Sequence, residues 1–246
     1  MKNLFEIDLK GLVELIEDEG NARLIMELVR NSLDETGVTT VEIKLEPVPG
    51  RPLAFVEVVD DAPTGFMDLS HAYTLFAPSY KKAHTDKAGR WNMGDKLFLA
   101  AAIMTGEPAE VHSTTGGLVF DKQSGRTHKR AKTEKGSVVR GCLKMTRSEW
   151  EECVRALHTL LLPEGVKVTL NGASLLPREP IHEFRAVLPT VQADSEGVFV
   201  RCGVAKRHWY GFMNPSQGKF RPCMNWVCRW WRLMTNGTSM CCRKCR

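Results

Sequence analysis

Long apolar segments are missing from this chain of 246 residues. No apolar run approaches the roughly 18 residues that a bilayer-spanning helix needs. The first eight residues lack the apolar core and the small-residue cleavage site of a signal peptide. No internal repeat occurs at a fixed period. These absences predict a cytoplasmic protein without membrane contact, and the apolar fraction of 43% predicts a globular one.

Acidic residues are absent from one part of the chain. Residues 204–246 hold nine Lys or Arg and no Asp or Glu, so the first 203 residues carry 25 basic and 29 acidic side chains. The overall charge of +5 therefore comes from the tail, and it does not by itself indicate nucleic-acid binding. Four of the six Trp and five of the eight Cys also lie in that tail.

A predicted helix near residue 27 carries polar groups on one side. Glu27, Asn31 and Asp34 lie at i, i+4 and i+7, so they project together. The carboxamide is a hard ligand for Mg2+, and the carboxylate could polarise a water molecule. Taken alone, the stretch also fits a solvated helix surface. An apolar stripe on the same helix can pack on a sheet: Leu24, Ile25, Leu28 and Val29.

Alternating patterns predict a β-hairpin after this helix, with strands at 39–46 and 53–59. The second strand runs into Asp61, which is followed by a tight turn that ends at Gly65. A carboxylate there can accept from an exocyclic amine, while glycine lets the backbone approach a flat ring. The same pattern also fits an ordinary turn.

The pattern over residues 67–96 predicts an anion-binding site. A helix over 67–76 and a polar, basic loop over 77–90 precede Gly94, which opens an apolar helix with Lys96 in its first turn. Amides at a helix start favour phosphate. The alternative is a surface loop whose lysines are only solvated.

The remaining patterns complete an α/β domain. We expect a lead-in helix over 4–20, Asn21 as the cap of the next helix, and Gly37 as its end. Further elements are predicted as strands at 109–114, 117–122, 136–145 and 166–170, a basic turn at 124–135 and a helix at 147–162. The expected architecture is a two-layer α/β sandwich with a mixed, mostly antiparallel sheet and helices on one face.

Together these motifs resemble the Bergerat-type ATPase domain of the GHKL superfamily (gyrase, heat-shock chaperone, histidine kinase, MutL). The family's Glu-x-x-x-Asn-(Ser/Ala)-x-Asp helix is matched by residues 27–34. Its Asp-x-Gly-x-Gly turn resembles 61–65, with Pro63 in place of a glycine. Its glycine-rich lid resembles 89–96 in the style of MORC-type ATPases, with Asn92 in place of a glycine. Its Gly-Thr pair resembles Gly136-Ser137.

The resemblance implies a role for each matched position. Glu27 would be the catalytic general base and Asn31 the Mg2+ ligand. The other nucleotide-binding positions would be Asp34, Asp61 (to the adenine amine), Gly65, Gly94, Lys96 and Ser137. It thus implies ATP and Mg2+ as cofactors and slow hydrolysis that switches a larger machine. Glu27 favours hydrolysis over histidine phosphorylation, while Pro63 and Asn92 affect rate and affinity.

Partners implied by the resemblance are a second protomer on ATP binding, and DNA or a client protein through further domains. Two other functions stay open. One is a nucleotide-binding module that does not hydrolyse ATP, and the other is nucleic-acid binding through the basic tail.

Three segments are expected: the ATP-binding domain at 1–175, the start of a transducer-like segment at 176–203, and an irregular tail at 204–246. The tail cysteines could bind zinc, although their spacings match no standard pair of zinc knuckles. A second interpretation is a reading-frame slip, because in a neighbouring frame the codons around Met224 and Trp226 spell Glu-Leu-Gly. On that interpretation the tail is non-native and disordered, and the natural protein is longer.

Overall fold

The computed structural model describes residues 11, 14, 20–75, 94–177 and 198, together with the backbone of five strands between 182 and 223. The chain divides into two compact units. One comprises residues 1–78 and 91–177, and the other comprises 79–90 and 178–246. The expected lead-in helix and the basic loop before residue 94 fall almost entirely outside the described residues; Gly11 and Glu14 are helical.

The first unit contains an eight-stranded mixed sheet in the order β5-β4-β3-β6-β2-β1-β7-β8. Strands β1 and β7 pair in parallel, and the other neighbours are antiparallel. The strands are β1 (Thr40–Pro47), β2 (Leu53–Asp60), β3 (Ala109–Ser113), β4 (Gly116–Asp121), β5 (Gly125–Lys129), β6 (Ser137–Lys144), β7 (Lys167–Leu170) and β8 (Ala173–Ser174).

Among the described residues, three helices cover this sheet: α1 (Asn21–Leu33), α2 (Gly94–Met104) and α3 (Arg147–Leu157). On β1, Val41, Ile43 and Leu45 are buried while Glu42 and Lys44 are exposed, so the helices lie on one face. The expected two-layer α/β architecture is therefore confirmed. None of the helices in the described ranges is long and apolar enough to cross a bilayer.

The expected hairpin is confirmed, and its register places Val41 opposite Asp60 and Pro47 opposite Ala54. A turn at Asn171-Gly172 follows β7, and both residues have positive φ. Its Asn171 side chain bonds the backbone of Leu45 through both amide atoms. The turn thus ties β7 and β8 to β1.

Several local expectations are wrong. Gly20, not Asn21, occupies the N-cap of α1, and the Asn21 amide donates to the Lys144 carbonyl instead. The helix α1 ends at Leu33, before Gly37, and α3 ends at Leu157, before 162.

The segment predicted as a helix at 67–76 forms only a 3₁₀ turn at Leu69–Ala72 in its described part. The basic segment at 124–135 contains strand β5, where pairing with β4 overrides the turn-like composition.

The second unit contains β9 (His182–Val187), β10 (Thr190–Ala193), β11 (Phe199–Cys202), β12 (Lys206–Met213) and β13 (Phe220–Cys223). Strand β12 pairs with both β9 and β13, and β10 pairs with β11. Strands β12 and β13 lie within the range expected to be irregular. Residues 224–246, which hold four of the tail cysteines, lie outside the described residues.

Candidate functional site

The polar side of α1 meets the start of α2. The Nδ2 atom of Asn31 donates to Oδ1 of Asp95 at 2.6 Å, although 64 positions separate the two residues. Glu27 lies one turn earlier on α1, and its Oε1 accepts from Nη1 of Arg30 at 2.9 Å. Glu27 and Asn31 are partly exposed, whereas Asp95 is buried. The structure thus brings two predicted residues into one cluster with a third that the sequence did not single out.

Gly94 fits against this cluster because it has no side chain. A Cβ atom at Gly94 would lie 3.1 Å from Cβ of Glu27 and 3.4 Å from Nδ2 of Asn31. The start of α2 therefore approaches α1 more closely than a larger residue would readily allow. Glu27, Asn31 and Gly94, three of the predicted site residues, form one contiguous group.

Two further predicted residues lie next to this group. Asp34 caps the C-terminus of α1: its backbone N–H donates to the Arg30 carbonyl, and the N–H of Glu35 donates to the Ser32 carbonyl. Lys96 lies in the first turn of α2 and is only 6% exposed. A lysine ammonium at such a depth requires polar partners, because burying it alone is costly.

A second cluster lies at the end of β2. The Oδ1 atom of Asp60 accepts from the N–H groups of Ala62 at 3.0 Å and Ser137 at 3.3 Å, and its Oδ2 accepts a short hydrogen bond from Oγ of Ser137. Asp60 is 4% exposed. Burial raises the pKa of Asp60, and the hydrogen bonds from Ser137 and Ala62 only partly oppose that rise.

Asp61 faces a different set of groups. Its Oδ1 accepts from the backbone N–H of Thr39 and of Thr40, both at 2.8 Å. Its Oδ2 accepts from Oγ1 of Thr39 at 2.6 Å and Nζ of Lys135 at 3.3 Å. Burial acts to raise the pKa of Asp61, but these hydrogen bonds outweigh it and hold that pKa well below its usual range.

The two neighbouring carboxylates differ in the acceptor capacity that remains. A carboxylate offers about four lone-pair positions. Four donors engage Asp61, whereas three donors from the described residues engage Asp60. Asp60 alone of the pair can accept a further bond, on Oδ2. Ser137, which the resemblance placed with Asp61 among the nucleotide-binding positions, donates its hydroxyl to Asp60 instead.

Close backbone packing fixes this second cluster. Gly136 has φ +66°, its N–H donates to the Ala62 carbonyl at 2.7 Å, and a Cβ there would lie 1.7 Å from the Asp60 carbonyl oxygen. Gly65 has φ +55°, and a Cβ there would lie 2.5 Å from the Gly136 carbonyl and from Oγ of Ser113. Gly65 therefore occupies a tightly packed position, where the turn after β2 meets the start of β6.

The α1–α2 cluster contains oxygen atoms of the kind that Mg2+ prefers as ligands, on the side chains of Glu27, Asn31 and Asp95. The Asn31 carboxamide would ligate a cation through Oδ1, because its nitrogen is a hydrogen-bond donor and already donates to Asp95. The oxygen donors of the α1–α2 cluster thus fit the ion that the motifs imply.

Sequence reasoning missed Asp60 and Asp95. The signal for Asp60 was available, because alternation along β2 puts it on the buried face with Ala54, Val56 and Val58. Asp95 had no comparable signal, since its role depends on contact with a distant helix. Asn92 and the rest of the lid before residue 94, for which the sequence made predictions, lie outside the described residues.

Comparisons with known proteins give partial structural similarities. No protein-family model and no curated protein matches the chain. The N-terminal domain of a DNA repair protein is similar at 15% identity and a TM-score of 0.47, over 66% of this chain and 51% of that one.

The ATPase and transducer domains of DNA topoisomerase II from Balamuthia mandrillaris give 14% identity and a TM-score of 0.44, over 63% of this chain and 48% of that one. The ATPase region of Saccharomyces cerevisiae topoisomerase II gives 15% identity and a TM-score of 0.45, again over 63% of this chain and 48% of that one. The chain thus spans about half the length of these solved chains. At these values the similarities assign no role to any residue of this chain.

Proposed function

We propose that this chain binds ATP with Mg2+ and hydrolyses it slowly, as the nucleotide-gated switch of a larger machine. The observation that carries the proposal is the joining of α1 and α2 by the Asn31–Asp95 hydrogen bond, with Glu27 and Gly94 in the same group. Apolar packing between two helices does not require this combination, whereas carboxylate and carboxamide oxygens beside the start of a helix suit a magnesium triphosphate.

Each side chain then has a stated task. Asn31 would ligate the cation through Oδ1, and Glu27 would accept the proton of the attacking water on its carboxylate. Arg30 would orient Glu27, since it bonds Oε1. Lys96 and the amides at the start of α2 would hold phosphate oxygens. Bound Mg2+ would neutralise the charge that develops on the transferring phosphoryl group.

Base recognition would involve the second cluster. The motif resemblance by itself predicted that Asp61 binds the adenine amine. All four acceptor positions of the Asp61 carboxylate are already engaged, so Asp60 is the better candidate for this role. Ser137 would hold Asp60 in place, and Gly65 would let the backbone pack against the ring.

The proposal is tested with purified protein by two variants and a control. We expect Asn31→Ala to abolish Mg2+-dependent ATP binding in calorimetry. We expect Glu27→Ala to retain binding but to reduce phosphate release by roughly a hundredfold or more. The exposed Glu164 provides a control carboxylate, and Glu164→Ala should change neither ATP binding nor phosphate release.

Failure of the wild-type protein to bind MgATP would overturn the proposal. ATP binding with phosphate release at background level, in the wild-type protein and in Glu27→Ala alike, would instead support the alternative, a module that binds a nucleotide without turning it over. Dimerisation on ATP binding, and DNA or a client protein as the partner, extend the proposal and follow from the family resemblance only. Sedimentation of the protein with and without a non-hydrolysable ATP analogue tests dimerisation.

A further inference from the structure

The face of the sheet opposite the helices carries a shallow cavity of about 340 Å3, here called the open-face pocket. Its floor includes Val59 and Val138, which are direct cross-strand partners on β2 and β6. Its walls are Glu57, His112 and Arg140, and loop 131–133 borders it. The pocket therefore combines an apolar floor with charged walls.

The carboxylates around this pocket are already neutralised. Glu57 bonds Nζ of Lys44 at 2.7 Å and lies 3.5 Å from Nη1 of Arg140. Glu110 bonds Nη2 of Arg140 at 2.6 Å and Nε2 of His112 at 2.7 Å. Burial acts to raise the pKa of Glu110, but its bonds to His112 and Arg140 lower it, so this acid stays ionised and paired.

Two cations near the pocket have no such partner within the part of the chain that the structure describes. Lys129 and Lys132 are exposed, and neither forms an ion pair with another residue in the described ranges. Lys132 borders the pocket, and Cβ of Lys129 lies 3.4 Å from where a Cβ at Gly117 would be, on the same face of the sheet. The rim of the pocket is therefore positive beside an apolar floor.

We propose that the open-face pocket docks an extended peptide segment of a partner protein that carries apolar side chains next to acidic ones. An apolar side chain would cover Val59 and Val138, and neighbouring carboxylates would pair with Lys129 and Lys132. A nucleic acid fits less well, because a phosphate backbone offers nothing to the apolar floor. A small metabolite fits less well because a shallow cavity cannot enclose most of its surface.

The position of the pocket connects it to the nucleotide site. Val59 and Val138 immediately adjoin Asp60 and Ser137, which bond each other on the opposite face of the same two strands. The bordering loop continues to Lys135, which bonds Asp61. A peptide in the pocket and a nucleotide against Asp60 would thus share one strand pair, so each should change the affinity for the other by the same factor. This coupling rests on the proposed function, whereas the docking does not.

The docking is tested by fluorescence anisotropy with a labelled peptide of alternating glutamate and leucine, in the absence of nucleotide. We expect saturable binding that Lys132→Glu and Val138→Glu each weaken by about tenfold or more. Lys122→Glu changes an equally exposed lysine at the β4–β5 turn, away from the pocket, and should change affinity less than about twofold. Circular dichroism checks that each variant is folded.

Two further probes decide between partner classes. A peptide of alternating glutamate and serine should bind at least about tenfold more weakly, since it cannot cover the floor; equal binding would overturn the proposal. A DNA duplex that binds and loses affinity in Lys132→Glu, while the glutamate–leucine peptide does not bind, would also overturn it. ATP binding measured without peptide tests the proposed function separately, so the two failures are distinguishable.

Discussion

Ser137 donates its hydroxyl hydrogen to the carboxylate of Asp60, although 77 positions separate the two residues. The bond joins the end of β2 to the beginning of β6, and Gly136 packs directly against the Asp60 carbonyl. Asp61, the next residue, is tied instead to Thr39, Thr40 and Lys135. Two adjacent carboxylates therefore serve different parts of the domain.

This difference predicts that conservative substitutions of the two residues will change ATP affinity to different extents. We expect Asp60→Asn to weaken ATP binding by about ten- to hundredfold, because a hydrogen bond to a charged group contributes roughly 1.5–3 kcal/mol. Asp61→Asn should change ATP affinity by less than about threefold. Calorimetric titration with MgATP measures both. The reverse order of effects would return the base-binding role to Asp61.

Ser137→Ala is the companion to these variants. It removes the hydroxyl donor but keeps the backbone N–H that Asp60 also accepts. We therefore expect a smaller loss of ATP affinity than in Asp60→Asn. Thermal unfolding of all three variants separates loss of binding from loss of the fold.

Gly94 should matter more for the site than for stability. Alanine is the better helix former by about 1 kcal/mol, but its Cβ would lie 3.1 Å from Cβ of Glu27. We expect Gly94→Ala to change the free energy of unfolding by less than about 1 kcal/mol while it reduces phosphate release by about tenfold or more. Urea unfolding and a phosphate-release assay measure the two quantities. A variant with wild-type turnover would show that the close approach of α1 and α2 is not needed.

Two glycines with similar φ provide a matched test of packing at the second cluster. Gly136 has φ +66° and Gly165 has φ +79°, but a Cβ at Gly136 would overlap the Asp60 carbonyl, whereas one at Gly165 meets nothing within 4 Å. Gly165→Ala should cost only the roughly 1–2 kcal/mol of the left-handed backbone. Gly136→Ala should cost at least about 2 kcal/mol more, because the backbone must move. Chemical unfolding of both variants measures the difference, and equal losses would contradict the packing described.

The low pKa of Asp61 predicts a specific pH dependence of stability. The folded-state pKa lies below the unfolded value of about 3.9, so between the two values the unfolded state binds more protons and stability rises with pH. The stabilisation by Asp61 is present above about pH 4 and is lost as the pH falls. Asp61→Asn should flatten this part of the stability curve.

Asp60 contributes with the opposite sign. Its folded-state pKa is raised, so its contribution is present below the unfolded value of about 3.9 and is lost as the pH rises through the raised value. The difference between the wild-type protein and Asp61→Asn isolates the Asp61 contribution, since Asp60 is common to both. Urea unfolding at a series of pH values measures that difference, and parallel curves would contradict the assignment.

Local patterns in the sequence were enough to predict much of the fold. Alternation predicted the β1–β2 hairpin, and the helical spacing of Glu27, Asn31 and Asp34 predicted one polar side on α1. These features depend on residues close in the chain, whose backbone periodicity decides which side chains share a face. Local composition failed at β5, because pairing with β4 made a strand of a segment rich in basic and turn-forming residues.

The sequence by itself determined the α/β class, the position of α1 and the presence of two carboxylates at the end of β2. Only the tertiary structure decided which of the two meets Ser137 and that Asp95 meets Asn31. The physical reason is that a hydrogen bond depends on distance and direction between atoms. For residues 64 or 77 positions apart, these are set by how the strands and helices pack together, not by the spacing of letters along the chain.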